Sequence, residues 1–154
     1  MKKLYLCLTS VLIFSTSFIF CNKETRSTSF AGAADKTGLI TGKMKIIIGN
    51  HTFTASLYDN ATTTAFKASL PLTAHMVEFN GNEKYFDLPH SLPVNASNPG
   101  TIHNGDLMIY GSSTLVLFYK GFNTSYSYTR LGRVDDVKGL ADALGNADVI
   151  VKFE

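Results

Sequence analysis

Residues 125–136 read SYSYTRLGRVDD, and their order places chemistry-bearing side chains at regular spacing. Alternation along a strand puts Tyr126, Tyr128 and Arg130 on one face and Ser127, Thr129 and Leu131 on the other. A guanidinium offers a planar fork of donors to a carboxylate or carbonyl, and phenol rings beside it form flat amphipathic walls. The stripe therefore predicts a ligand-binding surface at a pocket mouth. The competing structural reading is a solvated face whose rings cover the arginine stem, or an arginine neutralised by Asp106, Glu78 or Asp87. A buried guanidinium would need such a partner, since leaving one charge of a buried pair alone costs several kcal/mol.

A second candidate is the segment Asn98-Pro99-Gly100-Thr101-Ile102-His103-Asn104-Gly105. Its prolines and glycines fix an irregular path, and His103 is the histidine best placed for proton transfer or ligand contact. The stronger reading of His103 is a loop histidine satisfied by its neighbours. Other chemistries have little support. His51, His75, His90 and His103 lack metal-ligand spacing, so no metal is expected. Ser112-Ser113 after Gly111 has the composition of a hairpin turn, without the Gly-x-Ser-x-Gly elbow of a serine nucleophile. No phosphate-binding glycine loop is present, and no cofactor is expected.

The ends and the charge bound the setting. Lys2 and Lys3 precede an uncharged apolar run, Leu4 to Phe20, as in an export signal over 1–21. Cys21 closes the run at the position of a lipidated cysteine in bacterial lipoproteins, although Phe20 is larger than the residue that normally precedes it. An uncleaved anchor and plain secretion are the alternatives. Residues 22–43 are rich in Ser, Thr, Gly and Ala and read as a flexible tether. The remaining 111 residues, 44–154, suit one domain and contain neither of the two cysteines, Cys7 and Cys21. The net charge of +2 comes from Lys2 and Lys3, leaving 12 basic and 12 acidic side chains beyond them. A neutral domain gives no electrostatic reason to expect nucleic acid as a partner.

The elements that must position the stripe follow from period and punctuation. Residues 44–48 and 51–59 alternate about Gly49-Asn50 and predict a hairpin. Asn60 is an N-cap for a helix over about 61–70, stopped by Pro71. A second hairpin spans 74–79 and 82–88 around Asn80-Gly81, and a proline-spaced irregular segment follows. Residues 106–111 and 114–120 read as paired strands. The latter is apolar on both faces and calls for a covering layer, such as a helix outside a barrel. Gly132 marks a bulge or a close backbone approach. Asp135 or Asp136 is read as the N-cap of a helix carrying Val137, Leu140, Ala141 and Leu144, ended by Gly145. Residues 148–154 make a last strand. The count of about eight strands and two short helices predicts a closed or nearly closed β-barrel.

Several strings, GNEKYFDLP, NASNPGTIHNGDLMIYG, LVLFYK, SYSYTRLGRVDD and GLADALG, together resemble a family of small bacterial cyclophilin-like domains. The resemblance runs over 44–154 and implies a mainly β, cyclophilin-like barrel of about eight strands with two short helices. Cyclophilins isomerise peptide–proline bonds with an arginine beside a hydrophobic pocket. Their Gln-Gly-Gly-Asp string and tryptophan are absent here, so no cyclophilin active-site residue is carried over. The sequence favours an exported, envelope-associated, non-catalytic module binding a small molecule or short peptide. The alternative is a peptidyl-prolyl isomerase assisting extracytoplasmic folding, and a third reading is a module that holds a partner protein at the membrane.

Overall fold

The computed structural model of the chain describes residues 39–154. The export signal expected over 1–21, Cys21 and most of the tether expected over 22–43 lie outside the described residues. In chain order the elements are β1 (Ile40–Ile48), β2 (His51–Tyr58), α1 (Ala61–Lys67), β3 (Leu72–Phe79), β4 (Glu83–Asp87) and β5 (Thr101–Ile102). They continue as β6 (Asp106–Tyr110), β7 (Thr114–Phe118), β8 (Phe122–Asn123), β9 (Tyr128–Val134), α2 (Leu140–Leu144) and β10 (Val149–Phe153). Eight of the strands close a barrel in the order β1-β10-β3-β4-β7-β6-β9-β2, with every neighbouring pair antiparallel. Closure leaves no open sheet edge.

Local signals set most of these elements. Phe53, Ala55 and Leu57 of β2 are buried on alternate positions, as the period-two pattern requires. Asn60 caps α1, its side-chain oxygen accepting the Thr63 N–H at 2.8 Å. Asn80 and Gly81 both take positive φ, 56° and 68°, in the tight β3–β4 turn that an Asn-Gly pair favours. β1 begins earlier than the sequence pattern suggests. Residues 40–43, read as tether, pair with β2 through Ile40–Tyr58, Gly42–Leu57 and Lys43–Ser56. Only Met44, Ile46 and Ile48 of this strand are buried, so its polar first half carries no apolar period.

Inward side chains fill the barrel, and the two helices close opposite ends of it. Phe66 of α1 meets Phe153 edge-on at 6.2 Å, while α2 buries Leu140 and Leu144. Interiors of eight-stranded barrels are just wide enough for side chains to fill. β7 is apolar on both faces, as expected. Leu115 and Leu117 join the interior, whereas Val116 and Phe118 join an outer cluster with Ile102, Met108 and Tyr128. The cover is not a helix. The separate β5–β8 ribbon supplies Ile102 and Phe122, and the neighbouring ring of Tyr85 completes it.

The segment after the tyrosine stripe departs from expectation. β9 continues to Val134, and neither Asp135 nor Asp136 caps a helix. α2 starts only after Gly139, at φ 78°, with no side-chain cap. Asp135 instead accepts hydrogen bonds from Lys43 Nζ and the Ser56 hydroxyl, and Asp136 accepts from the Lys138 N–H at 2.9 Å. Both acids have closer donors than the helix offers. Gly145 does end α2, at φ 62°. Gly132 is required by close approach: a Cβ there would stand 2.4 Å from the Ser56 carbonyl oxygen. It also sits at a bulge, since Leu107 pairs with Gly132 but Met108 pairs with Arg130, leaving Leu131 as the extra residue.

Candidate functional site

The register across β4, β7, β6 and β9 arranges outward side chains in rows. Glu83 lies opposite Phe118. The next row is Tyr85, Val116, Met108 and Arg130, and the third is Asp87, Thr114, Tyr110 and Tyr128. Over these rows runs an open groove of about 490 Å³. Its floor is Val116 and Thr114, and Tyr85, Phe79, Asn80, Asn82 and Glu83 bound one side. Phe122, Tyr126, Tyr128 and Tyr110 bound the other. The rings stand at angles to one another rather than stacking flat. Tyr110 meets Tyr126 at 6.1 Å and 89°, and Phe79 meets Tyr85 at 5.9 Å and 89°. Angled rings present both faces and edges to a ligand.

Two of the four expected pocket residues meet here. Tyr128 is buried in the wall, and Tyr126, 62% exposed, stands just before β9 as the rim. Arg130 shares the outward row of Tyr85 and Val116, but Met108 intervenes, and Arg130 does not line the groove. Among the described residues no carboxylate lies within ion-pair distance of it. Each acid weighed as its partner is engaged elsewhere. Asp106 lies 3.6 Å from both Arg133 Nε and His103 Nδ1, Glu78 takes Lys84, and Asp87 accepts from the Thr114 hydroxyl. His103 is also outside the groove lining. Its ring is 55% exposed, and its backbone N–H donates to Asp106 at 2.8 Å.

Sequence reasoning missed Glu83, Tyr85 and Tyr110. The signal was present in NEKYFDL, where Glu83, Tyr85 and Asp87 alternate with Lys84 and Phe86. Only strand pairing, however, brings Tyr110 of β6 and Tyr85 of β4 to the two sides of β7. Glu83 is electrostatically unusual. Burial, and then the nearby charge of Glu78, push its carboxyl up to about 7. Its side chain has no hydrogen bond or ion pair among the described residues. Tyr128 is in turn pushed upward, first by burial and then by Glu83.

The opposite face of the same strand end is fully compensated. Lys84 points into the barrel, 0% exposed, and binds Glu78 together with the carbonyls of Gly145 at 2.9 Å and Ala147 at 2.7 Å. The Tyr119 hydroxyl donates to Glu78 at 2.8 Å. Burial raises Glu78, but Lys84, Tyr119 and the Gly81 N–H together hold it below the usual carboxylate range. Burial and Glu78 push the Tyr119 phenol up to about 12. This cluster ties β3 and β4 to the end of α2 and is structural. Among the described residues no three His, Cys, Asp or Glu side chains gather at metal-binding distance.

The arrangement can enclose an elongated or flat apolar body and meet one polar group at Glu83. No curated protein matches the chain. A family model described as the cyclophilin-like family matches residues 46–154, nearly the whole barrel, and the chain belongs to that family.

Proposed function

We propose that the domain is an exported, envelope-associated and non-catalytic module that binds a small molecule or short peptide in the aromatic groove. The observation that carries this reading is the groove itself, with four tyrosines converging on an open cavity that contains one carboxyl with no partner among the described residues. Proton-transfer catalysis needs a second group poised against the first, and nucleophilic catalysis needs an activated attacker. Among the described residues no tyrosine or threonine of the lining is hydrogen-bonded to Glu83. The lining also contains no arginine, the group on which a prolyl isomerase would depend. Export and tethering rest on Lys2, Lys3, the run from Leu4 to Phe20, and Cys21.

The test uses the full chain in a non-ionic detergent with ¹³C-labelled tyrosine rings. Four of its seven tyrosines line the groove, and Tyr5, Tyr58 and Tyr119 serve as internal controls. Screening metabolites and short peptides is expected to give ligands that shift Tyr85, Tyr110, Tyr126 and Tyr128 while leaving Tyr58 in place. Tyr126→Ala, at an exposed rim, should weaken such ligands about tenfold with an unchanged Tm, as for loss of one aromatic wall. Ligands that shift only control tyrosines would overturn the assignment of the site. Proline-peptide isomerisation above background, lost in Tyr126→Ala, would overturn its non-catalytic character. In the producing cells the chain should fractionate with membranes, and recovery in the cytosol would refute export.

A further inference from the structure

The groove's aromatic content and its single charge specify a ligand chemistry. Its lining holds six rings: Phe79, Tyr85, Tyr110, Phe122, Tyr126 and Tyr128. It holds no lysine, arginine or histidine, and its one ionisable acid is Glu83. Ring faces carry negative potential and attract cations, most strongly those that shed water easily. A carboxylate in a half-enclosed aromatic site lacks its own counter-charge, so an incoming cation meets both a charge and several ring faces.

Elsewhere the fold provides partners for its buried charges. Lys84 has Glu78, and Asp106 has Arg133 nearby. Glu83, beside Lys84 in sequence, has none among the described residues because alternation turns it outward into the groove. Building on the binding reading above, we propose that the groove recognises an organic ammonium group, free or borne on a lysine side chain, with Glu83 as its counter-ion and the tyrosine rings as its walls. A neutral ligand would leave Glu83 to be protonated or solvated. A cation makes the ionised carboxylate the stable form.

The titratable groups around Glu83 are Glu78 on β3, Tyr85 on its own strand, Tyr119 just after β7, Tyr110 on β6, Tyr128 at the start of β9 and Tyr126 just before it. Glu78 is held low and stays ionised near neutrality, whereas Tyr119 and Tyr128 are pushed upward and stay neutral there. Glu83, titrating at about 7, therefore sets the pH response. Going from pH 8 to pH 6 lowers its ionised fraction, and with it the affinity for a cation, by about tenfold.

The experiment titrates the full chain with choline and with its neutral carbon isostere 3,3-dimethylbutan-1-ol, following the groove tyrosines by NMR at pH 6 and pH 8. A third probe is N-acetyl-lysine methylamide, and its norleucine counterpart is the neutral control. Each cation is expected to bind at least about tenfold more tightly than its isostere at pH 8, with that advantage lost at pH 6 and in Glu83→Gln. The stronger of the choline and lysine arms identifies the source of the ammonium group. Equal binding of cation and isostere, tighter binding at pH 6, or an unaffected Glu83→Gln would each overturn the proposal while leaving a neutral binding groove intact. If no probe of either charge moves Tyr85, Tyr110, Tyr126 or Tyr128, and the wider screen also fails, the binding reading falls with it. Glu83→Gln keeps the shape of the side chain and relieves a desolvated charge, so loss of fold does not confuse the result.

Discussion

Glu83 and Lys84 are adjacent in sequence and opposite in every physical respect. Lys84 faces the interior, is wholly buried, and has a carboxylate and two carbonyl oxygens as acceptors. Glu83 faces the outer wall, is partly buried, and has no partner among the described residues. The inner charge is surrounded by groups that would suffer from its removal. The outer charge is held at an energetic disadvantage, by burial and by Glu78, that no described residue relieves. The contrast separates a charge kept for architecture from one available to a ligand, and burial alone would have ranked them in the reverse order.

The largest effect should come from breaking the inner side. Lys84→Met strands Glu78 and two carbonyl groups, and loss of one member of a buried pair costs about 3–5 kcal/mol. Thermal unfolding should show Tm lowered by more than about 10 °C. A shift below a few degrees would mean that water or Tyr119 replaces the ammonium. The outer side should respond with the opposite sign. Glu83 has a folded value of about 7 against an ordinary 4.5, so the folded state binds the extra proton between these values. Its contribution favours folding at pH 5 and is lost as the pH rises through 7. Allowing for partial exposure, Glu83→Gln should raise Tm by about 2–4 °C at pH 8 and leave it almost unchanged at pH 5. Destabilisation at pH 8 would show that the carboxylate has a partner after all.

The smallest effect sharpens the scale. Lys43 and Asp135 form an ion pair at 2.8 Å whose side chains are 59% and 36% exposed. Lys43, followed by the Ser56 hydroxyl, holds the Asp135 carboxyl below its ordinary value, so its stabilisation is present near neutrality and fades in acid. Solvent screening limits what such a pair contributes, and Asp135→Asn should move Tm by no more than about 2 °C at pH 7. A larger loss would place Asp135 with Lys84 as a structural anchor of the β2–β9 junction.

The barrel was legible in the sequence because its hairpins carry local signals. Alternation in 51–57, the Asn-Gly turn at 80–81 and the Asn60 cap each depend on residues within a few positions of one another. The helix after Asp135 was misread for a related reason. Its apolar spacing was real, but Lys43 and Ser56, far away in sequence, provide Asp135 with better donors than a helix start. The groove was legible only in part. Tyr126 and Tyr128 announce themselves by spacing, whereas Glu83, Tyr85 and Tyr110 join them only through the β4–β7–β6–β9 pairing. Arg130 shares their outward direction and the strand of Tyr128, but in its own row Met108 stands between it and Val116, and it does not line the groove.

The extra residue in β9 has a consequence for which cation the barrel tolerates. Strict alternation from Tyr128 would send Leu131 and Arg133 inward, yet Leu131 and Gly132 both point in, and Arg133 emerges beside Asp106. One residue of slack thus turns a guanidinium out of a dry interior and into reach of an acid at the barrel's rim. Were the seam to pair without that bulge, Leu131 would face Leu107 and Gly132 would face Asp106, and Arg133 would be carried one position further, to the inward side.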